Sequence, residues 1–169
     1  MPDNNTRKAV AGIVLASASL VAFVTGWEGN ENTTYTDIVG IPTVCGGVTD
    51  PKVAIPGKTY TDAECAAMNA RQIEAHGERA IECVDVALSQ GEYDAYASLA
   101  YNIGTNNFCH STLIKKLNAG DRVGGCNEIL RWNRAGGKVV KGLDRRRNAE
   151  NAKCLEAIKP KPTGEKAVA

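Results

Sequence analysis

The stretch WEGNENTTYTDIVGIPTVCGGVT, residues 27–49, decides how the chain is organised. Glu28 directly follows an apolar run, whereas Asp37 and Thr43 lie among polar and β-prone residues that glycines and a proline interrupt. Two carboxylates in unlike surroundings suit glycoside hydrolysis, because one must stay protonated to donate a proton while the other stays ionised. Glu28 therefore suits the acid, Asp37 the carboxylate that activates water or stabilises positive charge, and Thr43 the holder of that water. The spacing alone is weak evidence, since nineteen acidic residues form many such pairs by chance.

The apolar run before Glu28 comprises residues 9–27, none of them charged. A helix that spans a bilayer needs about 20 apolar residues, so the run is long enough. More than half of it consists of glycine, alanine, serine and threonine, which lower the free energy of transfer into lipid. The pattern predicts a segment that is able to enter a membrane and also able to leave it.

Two interpretations of this segment are open. In one, it is an uncleaved export signal whose N-terminus is held in the cytoplasm by Arg7 and Lys8. In the other, it is the first helix of a soluble fold, because apolar residues recur along it at helical spacing, at Ile13, Leu20, Val24 and Trp27. The two interpretations do not exclude each other, since a released segment can pack as that first helix.

The composition is that of one domain with a real core: 169 residues, 43% of them hydrophobic, and a net charge of +1. No bulk field argues for a nucleic-acid partner. Basic residues do cluster between residues 138 and 161, either as a solvated helix face or as a surface for an anionic polymer. With two histidines and no CxxC pair, the sequence predicts neither a metal site nor a cofactor.

Six cysteines indicate disulfides in an oxidising compartment, because their even number accompanies an N-terminus that points to export. Buried free thiols in a cytosolic protein are the alternative. The sequence allows many pairings. We expect a bridge between the last two helices of the helical lobe, where antiparallel packing brings cysteines close, and two further bridges. The expected pairs are Cys126–Cys154, Cys45–Cys65 and Cys83–Cys109.

Secondary-structure signals divide the chain into a β region and a helical region. Short β-prone runs broken by glycine and proline predict a small antiparallel sheet over residues 30–60. A capping box, Thr61-x-x-Glu64, opens a helix toward Cys83. Further helices are expected at residues 90–103, 112–118, 121–132 and 144–158, with residues 135–137 separating the last two.

The sequence therefore predicts an α+β fold that is mainly α. Residues 1–27 form the anchor-like segment or first helix, and residues 28–60 form a small β lobe that carries the candidate catalytic residues. A larger helical lobe follows at residues 61–159. The tail at residues 160–169 is expected to be disordered, because it is rich in lysine and proline.

An ordered series of motifs continues the pattern around Glu28. In order they are Trp27-Glu28-Gly29, Tyr35-x-Asp37-x-x-Gly40, Thr43-Val44-Cys45-Gly46-Gly47-Val48-Thr49, Tyr60-Thr61-x-x-Glu64, Tyr101-Asn102-x-Gly104, Phe108-x-x-Ser111-Thr112-Leu113, Arg131-Trp132, Ala135-Gly136-Gly137-Lys138 and Gly142-Leu143-x-Arg145-Arg146. The series closely resembles the phage-type lysozymes, glycoside hydrolase family 24, with their E-x8-D-x5-T triad. The resemblance spans about residues 20–158, nearly the whole chain.

The resemblance implies a lysozyme-like fold and an endo-acting muramidase, which cuts the β-1,4 bond between N-acetylmuramic acid and N-acetylglucosamine in peptidoglycan. By similarity Glu28 is the general acid, Asp37 the second carboxylate and Thr43 its partner. The remaining matches are Tyr101 and Ser111 in the substrate cleft and an arginine near Glu28, for which Arg145 is the candidate and Arg146 nearly as good. In one departure, Gly46-Gly47-Val48 stands where the family usually has a histidine after its glycines, which affects local hydrogen bonding more than activity.

The N-terminus resembles the signal-anchor-release segment of endolysins from phages that infect Gram-negative bacteria. This resemblance implies export through the host inner membrane, transient tethering there, release to the periplasm and host cell lysis by a monomer acting on peptidoglycan. Some relatives block their site with a cysteine until disulfides rearrange, which makes Cys45 a candidate for that role. The alternatives are a catalytically inactive wall-binding module on the same fold and a small membrane-anchored protein that docks a partner.

Overall fold

The computed structural model describes residues 12–29 and 31–160. Within these ranges the helices are α1 Ala18–Glu28, α2 Asp62–Ile81, α3 Gln90–Ile103, α4 Thr105–Cys109, α5 Thr112–Asn118, α6 Arg122–Glu128 and α7 Lys141–Ile158, with a 3₁₀ helix at Ile129–Arg131. The strands are β1 Tyr35–Thr36, β2 Pro42–Thr43, β3 Arg134–Ala135 and β4 Lys138–Val139, which pair antiparallel as β1–β2 and β3–β4. The prediction of an α+β fold that is mainly α is confirmed.

The N-terminal apolar segment is helical over only part of its length. α1 begins at Ala18, because the Ser17 hydroxyl caps it by accepting a hydrogen bond from the Leu20 N–H at 3.1 Å. Residues 12–17 form turns and irregular backbone, so the expectation of a helix through Ile13 is wrong, and residues 9–11 lie outside the described ones. None of the helices in the described residues is long and apolar enough to cross a membrane.

The two faces of α1 carry different side chains. Leu20 and Val24 are one helical turn apart and almost fully buried in the main core. Ala18, Ala22 and Gly26 follow the same spacing on the exposed face. Small residues cost little free energy in either water or lipid, so this face suits both surroundings.

The sheet in the β lobe is smaller than the sequence predicts. It consists of the β1–β2 hairpin, in which Tyr35 pairs with Thr43, and two isolated bridges, Thr33–Thr59 and Val44–Val48. Left-handed backbone at successive residues ends the pairing, with φ of +50° at Cys45 and +74° at Gly46. A small core lies behind this hairpin and contains Val44, Cys45, Val48, Ala54, Tyr60 and Cys65.

The helical lobe is built around α3. Residues 92–100 of this helix are all buried, and α3 packs against α1, α2 and α7. A helix that is buried all round forms the centre of a core, which here receives Leu20 and Val24 from α1. Both α2 and α3 begin with a capping box, at Thr61 and Ser89, and the first of these was predicted from sequence.

All six cysteines are paired in three disulfides, and the expected pairing is confirmed. Cys83–Cys109 and Cys126–Cys154 lie in the helical lobe, and each has a Cα–Cα distance of 5.6 Å. Cys45–Cys65 joins the β lobe to the first turns of α2, with a Cα–Cα distance of 4.9 Å. This third bridge connects the two lobes covalently near the candidate catalytic hairpin.

Several boundaries in the second half of the chain differ from the predictions. The helix expected at residues 121–132 ends at Glu128 and continues as the 3₁₀ helix, whereas α7 begins at Lys141, ahead of the expected residue 144. Residues 135–137, expected to separate two helices, belong to the β3–β4 hairpin at residues 134–139, whose turn residues Gly136 and Gly137 both have positive φ. Residues 161–169 of the expected tail lie outside the described part of the chain.

Candidate active site

Glu28 is the last residue of α1, and a buried arginine holds its side chain. Gly29 adopts a φ of +76° and donates its N–H to the Thr25 carbonyl, which ends the helix directly after Glu28. Arg146, from α7, donates a hydrogen bond from Nη1 to Glu28 Oε1. The Arg146 side chain is 4% exposed and that of Glu28 is 27% exposed. The carboxylate is therefore fixed from beneath while its outer side remains open to solvent.

A buried ion-pair network anchors Arg146. Its Nε donates to Glu150 Oε1 at 3.2 Å, and its Nη2 donates to the Ser98 carbonyl at 3.3 Å. Glu150 Oε1 also accepts from Ser98 Oγ at 2.6 Å, and Glu150 Oε2 lies 2.7 Å from Arg147 Nε. Burial raises the pKa of Glu150, and the positive charges of Arg147 and Arg146 oppose that shift. Two arginines balance Glu150 and Glu28, so each buried charge in the network has an opposite partner.

Two cavities meet at Glu28. The first, of about 420 Å³, lies toward the β lobe, and the second, of about 580 Å³, lies toward the start of α7. The first is lined by Glu28, Gly29, Glu31, Tyr35, Gly46 and Gly47. The second is lined by Gly26, Trp27, Glu28, Asn102, Val140, Gly142, Leu143, Arg145 and Arg146. A groove therefore passes Glu28 on both sides, as the binding of a polymer around its cleavage point requires.

Asp37 and Thr43 lie on the β1–β2 hairpin and bind the same stretch of backbone. Asp37 Oδ1 accepts hydrogen bonds from the Val39 N–H at 2.9 Å and the Ile41 N–H at 2.8 Å. The Thr43 hydroxyl donates to the Ile41 carbonyl at 3.0 Å, and Thr43 is 5% exposed. Thr43 pairs in register with Tyr35, a residue that lines the first cavity, although Asp37 and Thr43 are not themselves in either lining.

Tyr101 connects the floor of the site to the β lobe. Its hydroxyl lies 3.5 Å from the Gly46 carbonyl, and its ring meets the His76 ring edge-on, with centroids 5.1 Å apart. Burial, together with the negative charge of Glu28, raises the pKa of Tyr101. A Cβ on Gly46 would lie 3.2 Å from the Gly29 carbonyl and 3.3 Å from Asn69 Nδ2 on α2, so a glycine lets this turn lie close to the end of α1 and to the helical lobe. Tyr101 is expected to line the substrate cleft; it contacts the backbone of Gly46, which lines the first cavity, but it is not itself in either lining that contains Glu28.

Ser111, expected to line the substrate cleft, lies outside the two cavities that contain Glu28. It caps α5, donating to the Phe108 carbonyl at 2.6 Å and accepting from the Ile114 N–H at 3.3 Å. It also lines a separate cavity of about 330 Å³ with His110, Thr112, Glu128, Arg131 and Trp132. Neither cavity that contains Glu28 includes Ser111 in its lining.

The arginine beside Glu28 is Arg146, so the choice of Arg145 for that contact is wrong. Arg145 is exposed and lines the second cavity. On α7 the buried face follows helical spacing through Arg146 and Glu150, and this i, i+4 pair of opposite charges is the signal that sequence reasoning missed. Arg147, also missed, carries the same kind of signal, because it pairs with Glu150 at i, i+3. Ser98 carries no local signal, because its partner Glu150 is 52 residues away in sequence.

Among the residues that the structure describes, no group of three or more His, Cys, Asp or Glu side chains is arranged to hold a metal ion. The side chains gathered around Glu28 and on the hairpin are carboxylates, hydroxyls and an arginine. A carboxylate held at the centre of a groove, with a second carboxylate on the neighbouring hairpin, is suited to proton transfer and electrostatic stabilisation.

Comparisons with known proteins identify the family of the chain. The family model described as Phage lysozyme matches residues 25–150. The SAR-endolysin of Bacteriophage PS119 is 38% identical over 158 residues, covering 90% of this chain and 93% of the relative. The SAR-endolysin of Enterobacteria phage P21 is 40% identical over 157 residues, covering 88% and 94%. A crystal structure of a P22 lysozyme mutant superposes with a TM-score of 0.78 at 29% identity, covering 85% of this chain and 99% of the other. The chain belongs to the phage lysozyme family.

Proposed function

We propose that the chain is a phage endolysin that hydrolyses the β-1,4 bond between N-acetylmuramic acid and N-acetylglucosamine in peptidoglycan and thereby lyses the host cell. One observation carries the proposal: Glu28 lies where two cavities meet, and the buried Arg146 fixes its carboxyl group. A glycan strand laid along the groove would occupy both cavities, and its scissile oxygen would face the open side of Glu28. Cleavage within the strand follows from this arrangement, because the groove continues on both sides of the acid.

In the proposed mechanism Glu28 donates a proton to the glycosidic oxygen as the bond breaks. Asp37 supplies the second carboxylate, which activates water or stabilises positive charge on the sugar. Its Oδ1 is committed to the Val39 and Ile41 N–H groups, so the orientation of the carboxylate is set by the hairpin turn. Thr43 binds the carbonyl of the same Ile41 and stands beside Asp37 as the residue that holds the water. Arg145 contributes to the wall of the second cavity, and Tyr101 supports the first cavity through the Gly46 carbonyl.

We propose further that residues 9–27 first tether the chain to the host inner membrane and later leave it for the periplasm. The exposed face of α1, Ala18, Ala22 and Gly26, supports this because small residues suit both water and lipid. The relatives named SAR-endolysin support it as well. While α1 lies in the bilayer, Glu28 is separated from Arg146 and from the hairpin, so the tethered form is inactive. The released form acts on peptidoglycan as a monomer.

The proposed activity is tested by identifying the fragments that the enzyme releases from purified peptidoglycan. We expect the wild type to release soluble fragments whose reducing ends, identified by mass spectrometry after borohydride reduction, are N-acetylmuramic acid. Glu28→Gln, which keeps the shape of the side chain, is the matched control and should release almost none. Fragments that end in N-acetylglucosamine or in free peptide amines would contradict the assignment. Binding of peptidoglycan without any release would instead indicate the inactive wall-binding module.

Fractionation of expressing cells tests the proposed tethering. Ala18→Leu with Ala22→Leu raises the hydrophobicity of the segment at positions that are exposed in the released fold, so the core is unaffected. We expect the variant to remain in the membrane fraction and to delay lysis. Ala66→Leu with Ala67→Leu, on the exposed face of α2, is the matched control and should behave as the wild type. Normal timing of lysis in the α1 variant would refute the tethering.

A further inference from the structure

Asp94, on α3, is a buried carboxylate that takes no part in the mechanism above. It is 1% exposed. Its Oδ2 accepts a hydrogen bond from Ser19 Oγ at 2.6 Å, and its Oδ1 accepts from Ser17 Oγ at 3.2 Å. Gln90 donates to Oδ1 at 2.8 Å, and the Lys153 ammonium lies 3.5 Å from Oδ2. Two of the four partners therefore come from the N-terminal apolar segment.

Two neighbours of Asp94 bind the same segment through its backbone. The Gln90 side chain accepts from the Val14 N–H at 2.8 Å and donates to the Val14 carbonyl at 3.0 Å. The Tyr93 hydroxyl donates to the Leu15 carbonyl at 3.0 Å. These contacts satisfy backbone groups of Val14 and Leu15, which lie ahead of α1.

A glycine on α2 is needed for one of these contacts. A Cβ on Gly77 would lie 1.9 Å from the Tyr93 hydroxyl oxygen and 3.7 Å from the Leu15 carbonyl. Gly77 is buried within a twenty-residue helix, where glycine costs about 1 kcal/mol relative to alanine. The Tyr93 hydroxyl occupies the space that a Cβ at Gly77 would fill, and from there it reaches the Leu15 carbonyl. Three elements, α2, α3 and α7, thus contribute to one polar surface facing residues 14–19.

The same surface is connected to Glu28 through α1. Ser17, which binds Asp94, is also the N-cap of α1, and Glu28 is the last residue of that helix. Lys153, which pairs with Asp94, lies over the Phe23 ring at 5.7 Å from its centroid. Holding residues 14–19 therefore fixes the start and the rotation of the helix whose end carries the catalytic carboxyl group.

We propose that Gln90, Tyr93, Asp94 and Lys153 form a receptor site for residues 14–19 of the same chain, which captures the segment after it leaves the bilayer and thereby positions Glu28. This inference rests on the proposed membrane tethering. It gives Ser17 and Ser19 a second function besides weakening the affinity for lipid, because in the released protein their hydroxyls make hydrogen bonds to a buried carboxylate. A hydroxyl in the bilayer has no such partner, so the receptor favours release.

The direct test removes the receptor and leaves the segment unchanged. In Asp94→Ala the affinity of residues 9–27 for lipid stays the same, but both serines lose their acceptor. We expect the ratio of released to membrane-bound full-length protein, measured by fractionation and immunoblotting, to fall by about fivefold or more, with a matching delay in lysis. Asp94→Asn keeps an acceptor oxygen and should give a smaller change.

Glu92→Ala is the matched control for the loss of a buried carboxylate. Glu92 is also 1% exposed and lies on α3, but its hydrogen bonds go to Ser89 and Arg122. We expect it to lower the melting temperature comparably and to leave the released fraction as in the wild type. A released fraction that is the same in Asp94→Ala and Glu92→Ala would overturn the proposal.

Hydrogen exchange of the purified full-length protein tests the receptor without the membrane. Tyr93→Phe removes the donor to Leu15, whereas Tyr96→Phe removes a hydroxyl that only approaches Cys126 Sγ at 3.8 Å. We expect faster exchange at residues 12–20 in Tyr93→Phe alone. Equal protection in both variants and the wild type would overturn the receptor. If the wild-type protein never appears in the membrane fraction, the tethering is refuted. The hydrogen-exchange data would still show whether Tyr93 holds residues 12–20.

Discussion

The two candidate catalytic carboxylates are held in opposite ways. Asp37 binds the N–H groups of Val39 and Ile41, so its position is defined within four residues of its own hairpin. Glu28 binds Arg146, which is 118 residues away in sequence. The Asp37 side of the site thus forms wherever the hairpin forms, whereas the Glu28 side exists only when α1 and α7 are both packed on α3. In the proposed tethering, the N-terminal segment acts on the side that depends on tertiary packing.

The largest effect is expected at the tertiary side, from Glu28→Gln. The variant removes the donated proton at nearly constant shape, so the rate of peptidoglycan hydrolysis should fall by about 10²–10⁴-fold. The melting temperature should stay close to that of the wild type, because the amide still accepts a hydrogen bond from Arg146. A rate within a few-fold of the wild type, measured on purified peptidoglycan, would show that another group is the acid.

Asp37→Asn tests the local side. The amide oxygen can still accept from the Val39 and Ile41 N–H groups, so the hairpin should keep its turn and the free energy of unfolding should change by less than about 0.5 kcal/mol. The loss of charge should lower the hydrolysis rate by about 10²-fold. Urea denaturation and a rate assay on one preparation measure both quantities. A variant that is equally active would exclude Asp37 from the chemistry.

Removing single disulfides should separate the hairpin side of the site from the helical lobe, with a smaller effect on activity than the carboxylate variants have. Replacing both members of Cys45–Cys65 or of Cys126–Cys154 with alanine should cost about 3 kcal/mol in either case, because the loops have similar lengths of 20 and 28 residues. Only the Cys45–Cys65 variant should also lose activity at 25 °C, since Cys45 lies two residues after Thr43. Equal activity of the two folded variants would show that this bridge does not support the hairpin.

The smallest effect concerns pH. Burial and the charge of Arg79 lower the pKa of His76 below its ordinary value of 6.5. As the pH falls, His76 is therefore protonated in the unfolded chain before it is protonated in the folded protein. The contribution of the neutral His76 to the free energy of unfolding is fully present above pH 6.5 and is lost as the pH falls from 6.5 toward the lower pKa of the folded state. His76→Phe keeps a ring against Tyr101 but removes one group that titrates in this range. Its melting temperature should therefore depend less on pH between about 7.5 and 5.5 than that of the wild type. Parallel curves would contradict this assignment.

Sequence reasoning identified the parts of the molecule that are encoded locally. The capping box at Thr61 and Glu64, the hairpin around Asp37 and the end of α1 at Glu28 each follow from residues within one or two turns. The ordered motifs also indicated the family, whereas the pairing of the cysteines was expected from the packing of helices and not from the motifs. These features form through hydrogen bonds between near neighbours, whose geometry depends little on the rest of the fold.

The features that sequence reasoning missed depend on contacts between distant elements. Arg145 and Arg146 are equivalent by local criteria, and only the packing of α7 against α1 and α3 places Arg146 beneath Glu28. The role of Asp94 has no local sequence signal, because its partners Ser17 and Ser19 are 77 and 75 residues away and meet it only where residues 14–19 pack against α3. The early start expected for α1 failed for the same reason, because tertiary contacts to Gln90 and Tyr93 satisfy the backbone there in place of helical bonds.

A double-mutant cycle between Glu28 and Arg146 tests most directly whether Arg146, on the helical lobe, affects hydrolysis only by holding the carboxyl group of Glu28. Arg146→Gln alone should lower the hydrolysis rate by roughly 10²-fold, because Glu28 loses its anchor. With enough enzyme to measure the residual rate, the Glu28→Gln, Arg146→Gln double variant should match Glu28→Gln within about threefold. That result is predicted if Arg146 works by holding Glu28. Losses that multiply in the double variant would contradict the account, since Arg146 would then act on the reaction independently of Glu28.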